Sequence, residues 1–300
     1  MPITNYKLQM INDLLQNTPL ITLVGIFILL SLIGIISILS RRKSAYVSYL
    51  NYIWIFFLIL VLAETVSFYI SCWGWGILSF FTLREYFSLV DLRLQDRLGV
   101  LAAYLSIPFM MHFVHTDWYN MFIITIPVYS FLVIPFLISL TGKESEGAIY
   151  SIGTIDFGLF LFVYCIGHLA YLSFHSTWMT GMLVLTIAVC DIISLLINGK
   201  VNIMWKKIII KYVIPIPVTV TITLLVSEWT GIPVIHSVAL GLMIPALVII
   251  GNHTISYFES DLGIVKTNLQ PGRGLIIDNI KSMLFTAPIV LHYIRYFIFE

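Results

Sequence analysis

Ten apolar runs, most of them long enough to cross a lipid bilayer, follow one another through this chain and leave little choice of fold class. They are Leu20–Ser40, Tyr52–Phe68, Ile70–Leu83, Leu98–Val114, Trp118–Leu140, Ile155–Leu172, Trp178–Ile197, Ile208–Val226, Gly231–Ile250 and Met283–Phe299. A helix of roughly 20 residues rises 1.5 Å per residue and matches a hydrocarbon layer about 30 Å thick. Ile70–Leu83 is short for an untilted span, so it either forms a helical hairpin with its predecessor or belongs to one long helix with a re-entrant end. The expectation is an all-α polytopic membrane protein with nine or ten transmembrane helices. Helices are the element that satisfies every backbone group within its own segment. Composition agrees: of 300 residues, 59% are hydrophobic and only 10% charged, where a soluble domain carries about a quarter charged. Met1 to Pro19 has Asn, Asp and Gln among its leucines and lacks the basic start and cleavage site of a secretory signal, so the first run is read as a retained span.

Lysine and arginine fix an expected orientation. Alternating the spans puts Arg41, Arg42, Lys43, Arg84, Arg93, Arg97, Lys143, Lys200, Lys206, Lys207, Lys211, Lys266, Arg273 and Lys281 on one side, and only Lys7 and Arg295 elsewhere. Loops rich in Lys and Arg stay in the cytoplasm, so that side is expected to be cytoplasmic. A net charge of +1 gives no clustered basic face, and no nucleic-acid partner is expected.

No repeat, low-complexity tract or Pro/Ser-rich linker divides residues 1–300, which read as a single membrane domain. The longest loop on the basic side is Asn252 to Ser282. Within it Pro271-Gly272-Arg273-Gly274 is a turn that lets backbone amides and a guanidinium approach an anion, and Asp278 follows as a candidate metal ligand. The plainer reading of the same residues is an interfacial loop, with Arg273 on lipid headgroups and Asp278 paired locally. Asp191 lies within a span, where an acid is costly and therefore a functional candidate. Cys72, Cys165 and Cys190 lie in apolar runs without zinc or disulfide spacing and read as small buried hydrophobes. His168, His236 and His292 read as hydrogen-bonded packing residues, Glu64 as a buried acid of the second span, and Asp156 as a helix N-terminal residue. Trp54, Trp73, Trp75, Trp118, Trp178 and Trp229 stand near span ends, as interfacial anchors do.

Ser256 to Phe297 resembles the C-terminal signature of the phosphatidate cytidylyltransferase (CDP-diacylglycerol synthase) family. The frame is kept by Ser256, Asp261 to Ile264, Pro271, Gly272, Gly274, Asp278 and Ser282, then by Phe285 to Pro288, His292, Tyr293 and Arg295 to Phe297. Ser79 to Phe87, Asp117 to Tyr119, Ile126 to Tyr129, Phe157 to Leu159 and Val163 to Cys165 resemble upstream landmarks of one bacterial branch. The resemblance implies a protein of the bacterial inner membrane that transfers CMP from CTP to phosphatidic acid, releasing pyrophosphate. It further implies Mg²⁺, membrane lipid as a partner, a possible homodimer, and a catalytic and nucleotide-binding region over residues 184–282, including the loop 252–282. Carried over residue by residue, Asp191 and Asp278 would be catalytic and metal-binding. Lys200, Lys266, Arg273, Gly272, Gly274 and Ser256 would bind substrate.

The chain departs from the family pattern where chemistry is expected. Glu259-Ser260 stands in place of a Lys-Arg pair, Val265-Lys266-Thr267 in place of a Lys-Asp pair, and Arg273 in place of a histidine. Asn252 replaces an Asp, and Asp278-Asn279-Ile280-Lys281 keeps one carboxylate and reverses the charge of the other. Asp191 and Gly199-Lys200 keep the frame of a second motif whose Ser-Pro-x-Lys-Thr portion is absent. Three readings stay open: an active cytidylyltransferase, an inactive relative that binds lipid or nucleotide with a partner, and a transporter, for which neither a repeat nor paired broken helices are apparent.

Overall fold

A computed structural model describes residues 17–39, 45–141, 145–197, 203–264, 270 and 272–299. Among them there is no strand. The helices are α1 (Thr18–Leu39), α2 (Ala45–Thr65), α3 (Phe68–Phe87), α4 (Arg97–His115), α5 (Tyr119–Ile124), α6 (Phe131–Thr141), α7 (Ala148–Leu159), α8 (Cys165–His175), α9 (Thr177–Ile197), α10 (Met204–Val213), α11 (Ile216–Leu225), α12 (Ser227–Thr230), α13 (Val234–Asp261) and α14 (Leu275–Ile294). Short π-helical stretches at Thr125–Ser130 and Phe160–Tyr164 join α5 to α6 and α7 to α8. The chain is an all-α polytopic membrane protein, and among the described residues eight helical segments are long and apolar enough to cross a membrane. That is fewer than the nine or ten expected. The difference lies in α2, whose apolar stretch Tyr49–Thr65 is shorter than those eight, and in α3, which is outside the eight and whose last turn holds Arg84 and Glu85. The two are separate helices broken at Val66-Ser67, a helical hairpin and not one long rod.

The packing core is α8 with α9. Every residue from Cys165 to Ser173 is buried, and α9 buries Thr177 to Val184 without a gap. Around this pair stand α2, α3, α4, α13 and α14. By contrast α1 packs chiefly on α2 and leaves Ile28, Leu29, Leu32, Ile35 and Ile36 exposed. In lipid such a face carries no hydrophobic penalty. The three cysteines are buried and unpaired with one another, as small hydrophobes. Trp73 and Trp118 are exposed in the manner of interfacial anchors, whereas Trp75 and Trp178 are core residues. Asp156 does not open its helix, which starts two turns earlier at Ala148.

The largest difference from the sequence reading is the loop expected over Asn252–Ser282. Helix α13 runs on to Asp261 and α14 begins at Leu275, so only 13 residues, 262–274, connect them. Ser256 and Asp278 are therefore helical residues. The polar positions 252, 256 and 259 recur at i, i+4 and i+7, one face of a continuing helix; reading only for apolar character ends the span too early. Gly251 lets α13 and α14 close on each other, since a Cβ there would lie 3.1 Å from Phe285 Cβ and 3.4 Å from the Lys281 carbonyl oxygen.

The start of α14 is set by Glu85, at the end of α3 and only 2% exposed. Its Oε1 accepts from the amides of Gly272 (2.9 Å) and Leu275 (3.1 Å), and its Oε2 from those of Ile276 (2.7 Å) and Ile277 (3.0 Å). The first amides of a helix have no intrahelical partner, and a carboxylate there also meets the positive end of the helix dipole. Gly272 (φ 79°) and Gly274 (φ 86°) supply the left-handed turns that aim these amides at one carboxylate. At Gly274 a Cβ would also fall 2.6 Å from Ile264. Replacing Glu85 with Ala is expected to lower stability by about 3 kcal/mol, because four amides, that of Ile277 buried and the others partly so, lose their acceptor at about 1 kcal/mol each. Glu85→Gln, which keeps one acceptor oxygen, is expected to lose less. Thermal unfolding of the detergent-solubilised protein measures both.

Candidate functional site

At the end of the bundle that carries the basic loops, a pocket of about 600 Å³ opens between α9, α10, α13 and α14, with Tyr49 of α2 reaching into it. Its charged lining is three lysines, Lys207, Lys211 and Lys281, and two aspartates, Asp191 and Asp278. Lys207 and Lys211 are one turn apart on α10, so both face the pocket, while Trp205 and Ile209 of the same helix are exposed. Asn252, His253 and Ser256 come from α13, and Asn279 from the first turns of α14.

Asp191 is the deep anchor of the pocket, 8% exposed. Its Oδ2 accepts from the Tyr49 hydroxyl (2.9 Å) and the Ser282 hydroxyl (2.5 Å), and its Oδ1 from the Asn252 side-chain amide (2.8 Å). Four helices, α2, α9, α13 and α14, meet through this one carboxylate. Position 252 explains itself here: its amide nitrogen is turned toward Asp191, where a second carboxylate would repel.

Lys281 forms the second centre. Its ammonium donates to Ser256 Oγ (3.2 Å), to Glu259 Oε2 (3.2 Å) and to Asp278 Oδ1. The Lys281 side chain is 11% exposed, that of Glu259 2% and that of Asp278 22%. Ser256 and Glu259 are three residues apart on α13, as Asp278 and Lys281 are on α14, and the close approach at Gly251 brings these two facing pairs into register.

Of the residues expected from sequence, Asp191, Asp278 and Ser256 are brought to one pocket. Asp278 is one helical turn before Ser282, which holds Asp191, so the two aspartates project from neighbouring turns of the α9–α14 contact. Gly272, Arg273 and Gly274 do not line the pocket; they form the turn that Glu85 holds. Lys200 and Lys266 lie outside the described residues. Sequence reasoning passed over Glu85, Lys207, Lys211, Tyr49 and Glu259. The i, i+4 lysines of α10 were the signal available for two of them.

The donor set does not fit a resident Mg²⁺. Both oxygens of Asp191 are taken by neutral donors, Asp278 is ion-paired to Lys281, and among the described residues no three His, Cys, Asp or Glu side chains cluster in a way that could hold a metal. A divalent magnesium ion requires near-octahedral oxygen ligation, with carboxylates free to neutralise it.

Away from this end, the histidines of the spans, of which His168 is fully buried, are held by hydrogen bonds to their neighbours. His168 Nδ1 bonds the Tyr164 carbonyl (2.7 Å), its Nε2 meets His292 Nε2 (3.3 Å), and His292 Nδ1 meets the Tyr119 hydroxyl (3.0 Å). His236 Nδ1 pairs with the Tyr293 hydroxyl at 3.0 Å.

Fold and pocket together define a polytopic helical membrane protein with a lysine- and aspartate-lined pocket at one end of its bundle. The sequence pattern of the cytidylyltransferase family matches residues 43–297, and the chain belongs to that family, which includes phosphatidate cytidylyltransferase. It is similar to the uncharacterized protein YnbB of Escherichia coli (strain K12), 23% identical over 239 residues that cover 74% of this chain and 78% of that one. No solved structure matches the chain.

If Asp191 ties four helices together, Asp191→Ala is expected to destabilise the protein several-fold more than Tyr49→Phe. The latter removes one neutral hydrogen bond, worth about 1 kcal/mol in a membrane interior. The former strands three buried donors. Denaturant titration in mixed micelles gives the ranking.

Proposed function

We propose that the pocket binds a cytidine nucleotide beside a membrane lipid phosphate and that the chain transfers CMP from CTP to phosphatidic acid. The observation that carries this reading is the joining of family membership over residues 43–297 with a pocket in which Lys207, Lys211 and Lys281 face Asp191 and Asp278. In the reaction a phosphate oxygen of the lipid attacks the α-phosphorus of CTP, a new P–O bond forms, and the bond to the β-phosphate breaks. CDP-diacylglycerol and pyrophosphate result. Such a displacement depends on positioning and charge neutralisation more than on covalent chemistry. Lys207 and Lys211 supply charge from one side, and the amphipathic helix that carries them lies where a lipid headgroup arriving laterally meets a nucleotide arriving from water. Asp191 is assigned a positioning role, since it orients Ser282 and Asn252.

The same end of the bundle carries the excess of Lys and Arg, which supports a cytoplasmic opening in a bacterial inner membrane. A second reading, binding of nucleotide or lipid without turnover, is favoured by one specific observation: Lys281 holds Asp278 and Glu259.

Purified protein in lipid micelles with labelled CTP and phosphatidic acid tests the proposal. CDP-lipid is expected, reduced about tenfold or more in a Lys207→Ala/Lys211→Ala variant, a loss of about 1.4 kcal/mol of ligand or transition-state binding. Retained CTP or phosphatidic acid binding with no product at high protein concentration selects the binding-only reading. Absence of both product and binding overturns the assignment.

A further inference from the structure

Ser256, Glu259 and Asp278 form a partial cage of three side-chain oxygen groups, two carboxylates and a hydroxyl, drawn from two helices packed in register. A hard divalent cation takes such a donor set. Here the centre of the cage is taken by the chain itself: the Lys281 ammonium spends its three hydrogens on these three groups. It reaches them from within the same face of α14 that carries Asp278, and it also lines the pocket. Because the ammonium is tethered, its effective concentration at the cage is far above that of a free ion, and a metal entering would have to break its three hydrogen bonds to these groups.

We infer that Lys281 is a built-in cation that closes this cage to divalent metal, so that the pocket binds its phosphate-bearing ligand on lysine charge alone. The inference rests on the reading that the pocket receives phosphate, and it deepens that reading by naming what stands where a metal would otherwise neutralise charge. Three features carry it. The cage carries two carboxylates that would repel a phosphate if left bare. The ammonium that neutralises part of this charge is at the pocket wall. Lys207 and Lys211 supply further positive charge from α10.

The test uses the full chain in lipid nanodiscs. Mn²⁺ binding is followed by electron paramagnetic resonance in the wild type, Asp278→Asn, Lys281→Met, Lys281→Arg and the double variant Lys281→Met/Asp278→Asn. The wild type and Lys281→Arg are expected to bind no Mn²⁺ at the cage. Lys281→Met is expected to gain one site that the double variant loses, and its thermal midpoint, lowered in EDTA, should rise with Mn²⁺ as binding to the folded state requires. Wild-type Mn²⁺ binding that disappears in Asp278→Asn would falsify the inference.

Should Lys281→Met fail to fold, the wild type still decides through CTP and phosphatidic acid binding. Cytidine and phosphatidylcholine nanodiscs serve as controls that separate the nucleotide from the lipid source of phosphate. Binding in EDTA within about twofold of that in Mg²⁺, a difference of a few tenths of a kcal/mol, supports the inference. Binding that appears only with Mg²⁺ overturns it and leaves the phosphate reading standing. Binding in neither condition overturns the phosphate reading and with it a lysine-only pocket, while the Mn²⁺ signal still reports whether the cage is closed.

Discussion

A buried carboxylate at the end of α3 gathers four amides from a turn and a helix start nearly 190 residues further along the chain. Without Glu85 those amides would lose the carboxylate that accepts from them, and that of Ile277 is buried. Because the carboxylate fixes where α14 begins, it also fixes where the next turns of that helix point. Asp278, Lys281 and Ser282 follow within two turns; Lys281 holds Asp278 and reaches α13, and Ser282 reaches Asp191 on α9. The pocket is thus downstream of one capping interaction, and the glycines at 272 and 274 are the backbone condition for it.

The bundle's class and most of its spans were legible in hydropathy, since a run of apolar residues about 20 long has few other uses. What hydropathy cannot follow is a helix that turns polar on one side. Asn252 and Ser256 are polar because they face a pocket and Glu259 because it meets Lys281, yet the backbone beneath them is as helical as that beneath Ile244 or Leu247. The same holds at the start of α14, where Ile277, Ile280, Met283 and Leu284 are buried while Asp278 faces the pocket and Lys281 bridges it to α13. Periodicity at 3.6 residues carried that information, and length of apolar run did not.

The site divides along a similar line. Asp191 and Asp278 were legible because an acid inside or beside a span needs a reason to be there. The partners that give them their reason were not. Tyr49 is 142 residues from Asp191, and the pairing of Glu259 with Lys281 depends on the crossing of two helices at Gly251. The substitutions that looked like erosion in the sequence, Asn252 and Lys281 above all, prove to be complementary to what surrounds them. Asn252 donates to Asp191, and Lys281 answers Glu259 and Asp278. They read as parts of one rearranged charge network, not as independent losses.

Helix α14 links the two polar regions of the molecule. Lys281 and His292 are 11 residues apart, close to three full turns, and so stand on nearly the same face at a separation of about 16 Å. Between them α14 buries Leu284, Ala287, Val290 and Leu291. Along α14 the polar cluster at Lys281 and the paired histidines His292 and His168 are thus separated by about half the thickness of a bilayer's hydrocarbon core. Insulation there is the task of four side chains packed against α8 and α9. The same helix thus carries the pocket's Asp278, Asn279 and Lys281 on its first turns and the apolar seal between the two polar clusters on the turns that follow.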